Sequence, residues 1–402
     1  MSNTQKKNVP ELRFPGFEGE YSLDIFGNLA TNKSDKFNPQ NENASIDIEL
    51  DCIEQNTGRL IKIYNSKEFS SQKNKFNPQN VLYGKLRPYL NKYYFTKKSG
   101  VCSSEIWVLK STKEDKLLNL FLYYFIQTKR YSDVASKSAG SKMPRADWGL
   151  IENIRVYFPE LCEQQKIGEF FSKLDRQIEL EEQKLELLQQ QKKCYMQKIF
   201  SQELRFKDDN GNDYPEWEEK KLGELSQIVR GASPRPIKDP KWFNKESDIG
   251  WLRISDVTDQ NGKIYHLEQK LSIEGQEKTR VLLTTHLLLS IAASIGKPVM
   301  NFVKTGVHDG FLIFLNPKFN IFFMYYWLDY FKEKWSKYGQ SGSQVNLNSE
   351  IVKSQTLNMP SNHEQEKVGL FFSRNEKLIE LQQEKIMYLK RRKQALILKM
   401  FI

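Results

Sequence analysis

Residues Glu163–Phe200 read EQQKIGEFFSKLDRQIELEEQKLELLQQQKKCYMQKIF, and the pattern returns 201 positions later (364 − 163) at Glu364–Phe401 as EQEKVGLFFSRNEKLIELQQEKIMYLKRRKQALILKMF. In the first copy apolar residues fall at Ile167, Phe171, Leu174, Ile178, Leu185, Leu188, Tyr195 and Ile199. Steps of three, four and seven make the seam of a coiled-coil helix, not the alternation of a strand. The second copy keeps the register at Val368, Phe372, Ile379, Ile386, Leu389, Leu396 and Met400, and neither copy contains proline. Pro159 and Pro360 stand just ahead of each start, where proline is tolerated. Each helix spans roughly 50 Å at 1.5 Å per residue, too long for a core helix of either flanking segment. The two are expected to pack on each other, the helix–helix contact drawing on Ile167, Phe171, Ile178, Leu185 and Leu188 of the first copy and Val368, Phe372, Ile379, Ile386 and Leu389 of the second.

The duplication is wider than the helices. Glu11-Leu12-Arg13-Phe14, then Phe26-Gly27-Asn28-Leu29, returns as Glu203-Leu204-Arg205-Phe206, then Leu222-Gly223-Glu224-Leu225. Ahead of the helices, Gly140-Ser141 leads to Val156-Tyr157-Phe158-Pro159, and Gly342-Ser343 leads to Leu357-Asn358-Met359-Pro360. The order is globular segment (1–162), helix (163–200), globular segment (201–363), helix (364–402), a domain duplication rather than a solenoid. Both middles read as mixed α/β. Strands are expected at Val81–Gly84, Lys92–Phe95 and Ile106–Leu109, with a helix over Lys116–Tyr131. In the second half, strands are expected at Trp251–Ile254, Leu287–Ala292, Val299–Val303 and Phe311–Leu315, with an aromatic-rich helix over Phe319–Tyr338. The fold class is therefore α+β, two pseudo-symmetric domains separated by two long helices.

With 402 residues, 39% of them hydrophobic, the chain can bury two or three domain cores. Its net charge of +11 favours an anionic partner, but the excess is uneven. Residues 1–162 carry 24 Lys and Arg against 18 Asp and Glu; the first helix is balanced at 7 and 7, and residues 201–363 at 21 and 20. The four cysteines, Cys52, Cys102, Cys162 and Cys194, have no paired spacing, which argues against zinc or a disulfide framework and fits a reducing cytoplasm. The first twenty residues lack an apolar signal core, and no apolar run reaches membrane-spanning length.

The sequence offers no active site. It has no G-x-x-x-x-G-K-[ST] phosphate loop and no N-P-P-[FY] tetrapeptide, and His266, His286, His308 and His363 lack ligand spacing, so no metal or catalytic residue is assigned. His308-Asp309 reads as a strand-edge histidine beside a turn aspartate, and Glu181-Glu182 as a solvated helix face. What stands out is a set of basic, small-residue and amide-rich loops. In the first half these supply Lys85, Arg87, Tyr89, Lys92, Ser141, Lys142 and Arg145; in the second, Arg230, Ser233, Arg235, Lys238, Arg253, Lys297, Gln340, Ser343, Gln344 and Asn346. Arg and Lys reach guanine edges and phosphates, and Gln and Asn pair with adenine, so these are the candidate DNA-binding residues; the alternative is ordinary solvated loops. Lys390-Arg391-Arg392-Lys393 opposes the helix dipole, or contacts a DNA backbone or an acidic partner.

Taken in order, these stretches resemble the specificity subunits (HsdS) of type I restriction–modification systems. The likeness covers nearly the whole chain. It rests on the duplication, on the paired helix starts Glu163–Gly168 and Glu364–Gly369, on Val81–Lys92 (VLYGKLRPYLNK), on Gly231–Pro236 with Gly250–Val257 (GWLRISDV), and on Leu287–Pro298 (LLLSIAASIGKP). It implies two target recognition domains on antiparallel spacer helices, each reading half of a split site in double-stranded DNA. It implies that the chain has no catalytic centre and binds no cofactor. Two modification subunits carrying S-adenosylmethionine would methylate adenine, and restriction subunits would use ATP and Mg²⁺. A cytoplasmic location, with no membrane partner, follows. The alternatives are a stand-alone DNA-modifying or DNA-cleaving enzyme and a coiled-coil scaffold that never touches DNA.

Overall fold

The computed structural model describes residues 8–38, 44, 46–65, 71–137, 143–292, 294–338 and 347–402. The chain forms two compact units, residues 1–183 with 383–402, and residues 184–382. Helices Leu161–Phe200 and Asn362–Met400 each contribute a part to both units.

The first unit carries two four-stranded sheets and a two-stranded one. The first sheet runs in the order Ala30–Thr31, Ile106–Ser111, Val81–Gly84, Tyr93–Phe95, all antiparallel. The second runs Lys36–Phe37, Lys73–Phe76, Gly100–Cys102, Asp47–Ile48, the last pair parallel. Ser22–Ile25 pairs with Arg155–Phe158, tying the start of the domain to the strand that feeds the long helix. The expected helix over Lys116–Tyr131 is two, Asn119–Phe125 and Lys129–Ala135, because Thr128 caps the second by accepting from the Tyr131 amide.

The second unit repeats the plan with different dimensions. A five-stranded sheet runs Gln227–Arg230, Phe311–Leu315, Leu287–Ser290, Pro298–Asn301, Lys263–Ile264, and a three-stranded one Gly250–Leu252, Thr305–Val307, Arg280–Leu282. Glu218–Lys221 pairs with Thr356–Met359 as the matching two-stranded sheet. The strand expected over Trp251–Ile254 ends at Leu252, since Asp256 accepts the Arg253 amide at 2.8 Å and starts the helix Ile254–Asp259. The aromatic helix is Ile321–Phe331, capped by Asn320, followed by a 3₁₀ segment Lys332–Tyr338.

The duplicated sequence motifs form duplicated contacts. Glu163 is fully buried and is gripped by Arg13 at 2.7 and 2.8 Å; Glu364, equally buried, is gripped by Arg205 at 2.9 and 3.3 Å. Tyr21 hydroxyl donates to Glu163 and Trp217 Nε1 to Glu364. The next residue ties down the domain: Gln164 accepts from the Leu118 amide and donates to the Pro159 carbonyl, and Gln365 accepts from Asn320 and donates to Pro360. Phe14 meets Phe170 edge-on at 5.5 Å, and Phe206 meets Phe371 at 5.4 Å. Glycine stands one turn later, where the domain helix comes close. A Cβ on Gly168 would stand 2.6 Å from Leu120 Cγ, and one on Gly369 3.1 Å from the Phe323 nitrogen.

The seam serves the domain cores as well as the helix pair. Ile167, Phe171, Ile178 and Leu389 lie in one buried cluster with Phe121, Leu122 and Phe125; Val368 and Phe372 lie in another with Phe323 and Tyr326. Ile386 is buried, whereas Leu185, Leu188 and Ile379 are half-buried. Hence the helix ends are core helices, contrary to the expectation from length, because the apolar stripe continues onto the domain. In the first unit Asp175, Glu181 and Glu182 pair with Lys393, Lys385 and Lys390 at 2.6, 2.5 and 2.6 Å, so the segments run antiparallel. Glu182 also takes Arg59 at 2.6 Å, so Glu181-Glu182 is a paired face rather than a solvated one. Lys393 likewise turns inward and Lys390, though exposed, pairs with Glu182, while Arg391 and Arg392 are exposed.

One polar cluster occurs twice, its acid and lysine positions related by the 201-residue shift and its tyrosine by 202. Tyr124 donates to Asp175 at 3.0 Å and Asp175 pairs with Lys393; Tyr326 donates to Glu376 at 2.7 Å and Glu376 pairs with Lys192 at 3.1 Å. Glu376, with its side chain 9% exposed, also holds Lys263. Asp175 is 25% exposed, and Lys393 keeps a second partner in Gln127. Removing one member of a buried pair strands the other charge, at about 3–5 kcal/mol. Glu376→Gln is therefore expected to lose about that much in urea unfolding, and Asp175→Asn clearly less. Equal losses would contradict the assignment.

Candidate nucleic-acid interface

Two loops of the first unit are laced side by side. Arg87 amide donates to the Pro144 carbonyl at 2.7 Å and Ala146 amide to the Lys85 carbonyl at 2.8 Å, with Leu86 bridging Arg145. Lys85, Arg87, Tyr89 and Arg145 thus emerge from one patch. Arg87 adopts the left-handed backbone (φ 52°), which is uncommon outside glycine and costs of order 1 kcal/mol. Its side chain is exposed and has no hydrogen-bond partner among the described residues, and Tyr89 beside it is also exposed. Arg145 forks onto Glu105 at 2.9 and 3.0 Å, and that hydrogen bond holds the Glu105 carboxyl below its usual range. Lys92 leaves the patch: its ammonium is spent on the Leu50 carbonyl at 2.6 Å.

In the second unit four of the sequence candidates converge on one aspartate or its recess. Asp309 accepts from Ser233 Oγ at 2.8 Å and Arg235 Nη2 at 2.7 Å, and its backbone carbonyl accepts Arg230 Nε at 2.6 Å. Ser233, Arg235 and Asp309 line an open recess of about 280 Å³ with Ile237, Trp251, Arg253, Ile254 and His308. Arg253 is aimed by a bidentate contact with Asp256 at 2.8 and 3.2 Å. Burial would raise the Asp309 carboxyl, but Ser233 and the charges of Arg235, His308 and Arg230 outweigh it and keep it low. Burial pushes the His308 imidazole down, against the opposing pull of Asp309. Its Nδ1 accepts the Gly310 amide at 2.8 Å, which places the neutral ring's proton on Nε2. Lys238 is exposed on the same loop. Lys297 lies apart, turned onto the Val257 carbonyl at 3.3 Å, its ammonium lowered by burial and by Lys332. Ser141, Lys142, Gln340, Ser343, Gln344 and Asn346 fall outside the described residues.

Glu105, Asp256 and Asp309 organise these arginines; the first two escaped the sequence reading, and Asp309 was read there only as a turn aspartate. Asp309 is 76 residues from Ser233, and the antiparallel pairing of Gln227–Arg230 with Phe311–Leu315 brings them together. No local motif carries that signal.

Comparison with known proteins agrees with this architecture. The family profile for the type I restriction modification DNA specificity domain matches residues 20–190 and again 214–391. The chain belongs to that family. The type I restriction enzyme MjaVIII specificity subunit of Methanocaldococcus jannaschii is 26% identical over 310 residues, covering 72% of this chain and 71% of that protein. A chain from a structure describing complex assembly and conformational transition of the type I R-M system superposes with a TM-score of 0.63, at 16% identity over 94% of this chain and 96% of that one. The type I restriction–modification S subunit from M. genitalium gives a TM-score of 0.57, at 14% identity over 98% and 99% of the two chains. No helix among the described residues is long and apolar enough to cross a membrane.

The lowered His308 pKa makes a pH prediction with a definite sign. An unfolded histidine titrates near 6.5, so between that pH and the lower folded value the unfolded chain binds the extra proton. The stability held by neutral His308 is complete above pH ~6.5 and is lost as pH falls through the folded pKa. His308→Phe, which keeps the ring against Trp251 and Phe311, is expected to flatten thermal stability across that window. An unchanged pH slope would contradict it.

Proposed function

We propose that the chain is the sequence-reading adaptor of a type I restriction–modification assembly, each unit taking one half of a split site in double-stranded DNA. The observation that carries this is the doubling of the mount without doubling of the reader. Both units sit on the helix pair through the same Arg–Glu and Gln contacts, while their outward loops differ in residue and geometry. In this reading Lys85, Arg87, Tyr89 and Arg145 serve one half-site, and Arg230, Ser233, Arg235, Lys238 and Arg253 the other. Ser141, Lys142, Gln340, Ser343, Gln344 and Asn346 belong with them on composition, whereas Lys92 and Lys297 act on the fold.

The chain performs no bond chemistry in this account. S-adenosylmethionine is held by two modification subunits that methylate adenine, most simply on a base turned out of the stack. Restriction subunits bring ATP and Mg²⁺. The near-balanced charge of residues 201–363 fits a division of labour in which those partners supply much of the phosphate contact. The assembly works on DNA in the cytoplasm.

If the helices set the gap between half-sites, shortening both should move the halves together. Removing one heptad from the middle of each helix keeps the seam in phase and takes away roughly 10 Å, about three base pairs at 3.4 Å each. Methylome sequencing of cells carrying this variant with its modification subunit is expected to show the same halves with a gap shorter by up to about three base pairs. The original gap would refute the spacer role.

A further inference from the structure

The recess of the second unit places one carboxylate at the centre of a cationic rim. A surface that only holds phosphates gains nothing from a carboxylate among its arginines, since like charges repel. A surface that reads base edges does. In the major groove guanine presents two acceptors, N7 and O6, and its cytosine partner presents a donor, N4–H₂. Arg235 and Asp309 offer the complement side by side. Arg235 is 71% exposed and reaches Asp309 through Nη2 alone, which leaves the second Nη2 hydrogen and its neighbour on the same guanidinium edge for a pair of acceptors. An ionised carboxylate has about four acceptor sites. In Asp309 one oxygen takes Ser233 and the other Arg235, and the group is 36% exposed.

We propose that Arg235 and Asp309 together read one G·C base pair, Arg235 donating to guanine N7 and O6 and Asp309 accepting from cytosine N4–H₂. Ser233 and Arg230 are positioning residues. Ser233 binds Oδ1 and receives the Asp309 amide, and Arg230 fixes the Asp309 carbonyl, so the carboxylate cannot swing away when Arg235 turns to the base. The pairing of an arginine with an aspartate adds no net charge, so it selects a base pair without adding to general DNA affinity. The inference rests on the DNA-reading function proposed above.

The test is selection from a pool of random-sequence duplex DNA by the full-length chain assembled with an adenine-methyltransferase subunit. Wild type, Arg235→Ala, Arg235→Lys and Asp309→Asn are compared. Wild type is expected to select a two-part motif with a G·C pair at one position of one half. All three variants should lose discrimination at that same position, by roughly tenfold or more, with the other half and the gap retained. Lysine is included because it keeps the charge and loses the fork. The inference is overturned if the variants select the wild-type motif, if the affected position is A·T, or if binding weakens equally for all sequences, as for a phosphate contact or a loosened loop. Retention of discrimination by Arg235→Lys alone also overturns it. A wild-type assembly that selects no motif rejects the DNA-reading function itself, a separate result.

Discussion

A buried carboxylate in the first turn of each long helix fixes how each globular unit is mounted. Glu163 and Glu364 are removed from water, which is costly unless the charge is paired and fully hydrogen-bonded. Arg13 with Tyr21, and Arg205 with Trp217, meet that demand, and the positive end of the helix dipole adds to it. A pair of this kind contributes little net stability over an apolar packing. Any other seating leaves a charge buried alone, at about 3–5 kcal/mol. The neighbouring Gln164 and Gln365 then bring the domain helix into place, and Gly168 and Gly369 let it approach.

This explains which parts of the sequence were legible. The heptad seam announces long helices wherever it occurs, and the repeated Glu-Leu-Arg-Phe and Glu-Gln motifs return because each is one half of the same buried contact. The strands at Val81–Gly84 and Phe311–Leu315 follow from apolar β-branched and aromatic runs. What periodicity could not separate was helix–helix seam from domain core, since both ask only for apolar residues at the same spacing. Phe171 and Phe372 satisfy both demands at once, packing at a tilt against Tyr124 and Tyr326 with ring centroids 5.2 Å apart.

The candidate site was half legible. Basic loops are visible in sequence because Arg and Lys beside Gly and Ser have few structural reasons to cluster. Their acidic organisers are not, because Glu105 and Asp309 join arginines through strand pairing across 40 and 74 residues. Lys92 and Lys297 mark the opposite failure. Each looks like a loop cation, yet each ammonium is drawn to a backbone carbonyl, a role that composition cannot distinguish from a surface one.

One scaffold presenting two unlike surfaces is the arrangement that a split, asymmetric target requires. The halves should then be separable without disturbing the mount. The most direct measurement is the methylome written by a chain in which residues 206–359 are exchanged for the corresponding segment of a relative with a different target. Retaining Arg205 and Glu364 preserves the seat. The account predicts that one half of the methylated motif changes to that of the donor, while the other half and the gap stay as they were. A motif altered in both halves, or unaltered in either, would contradict it.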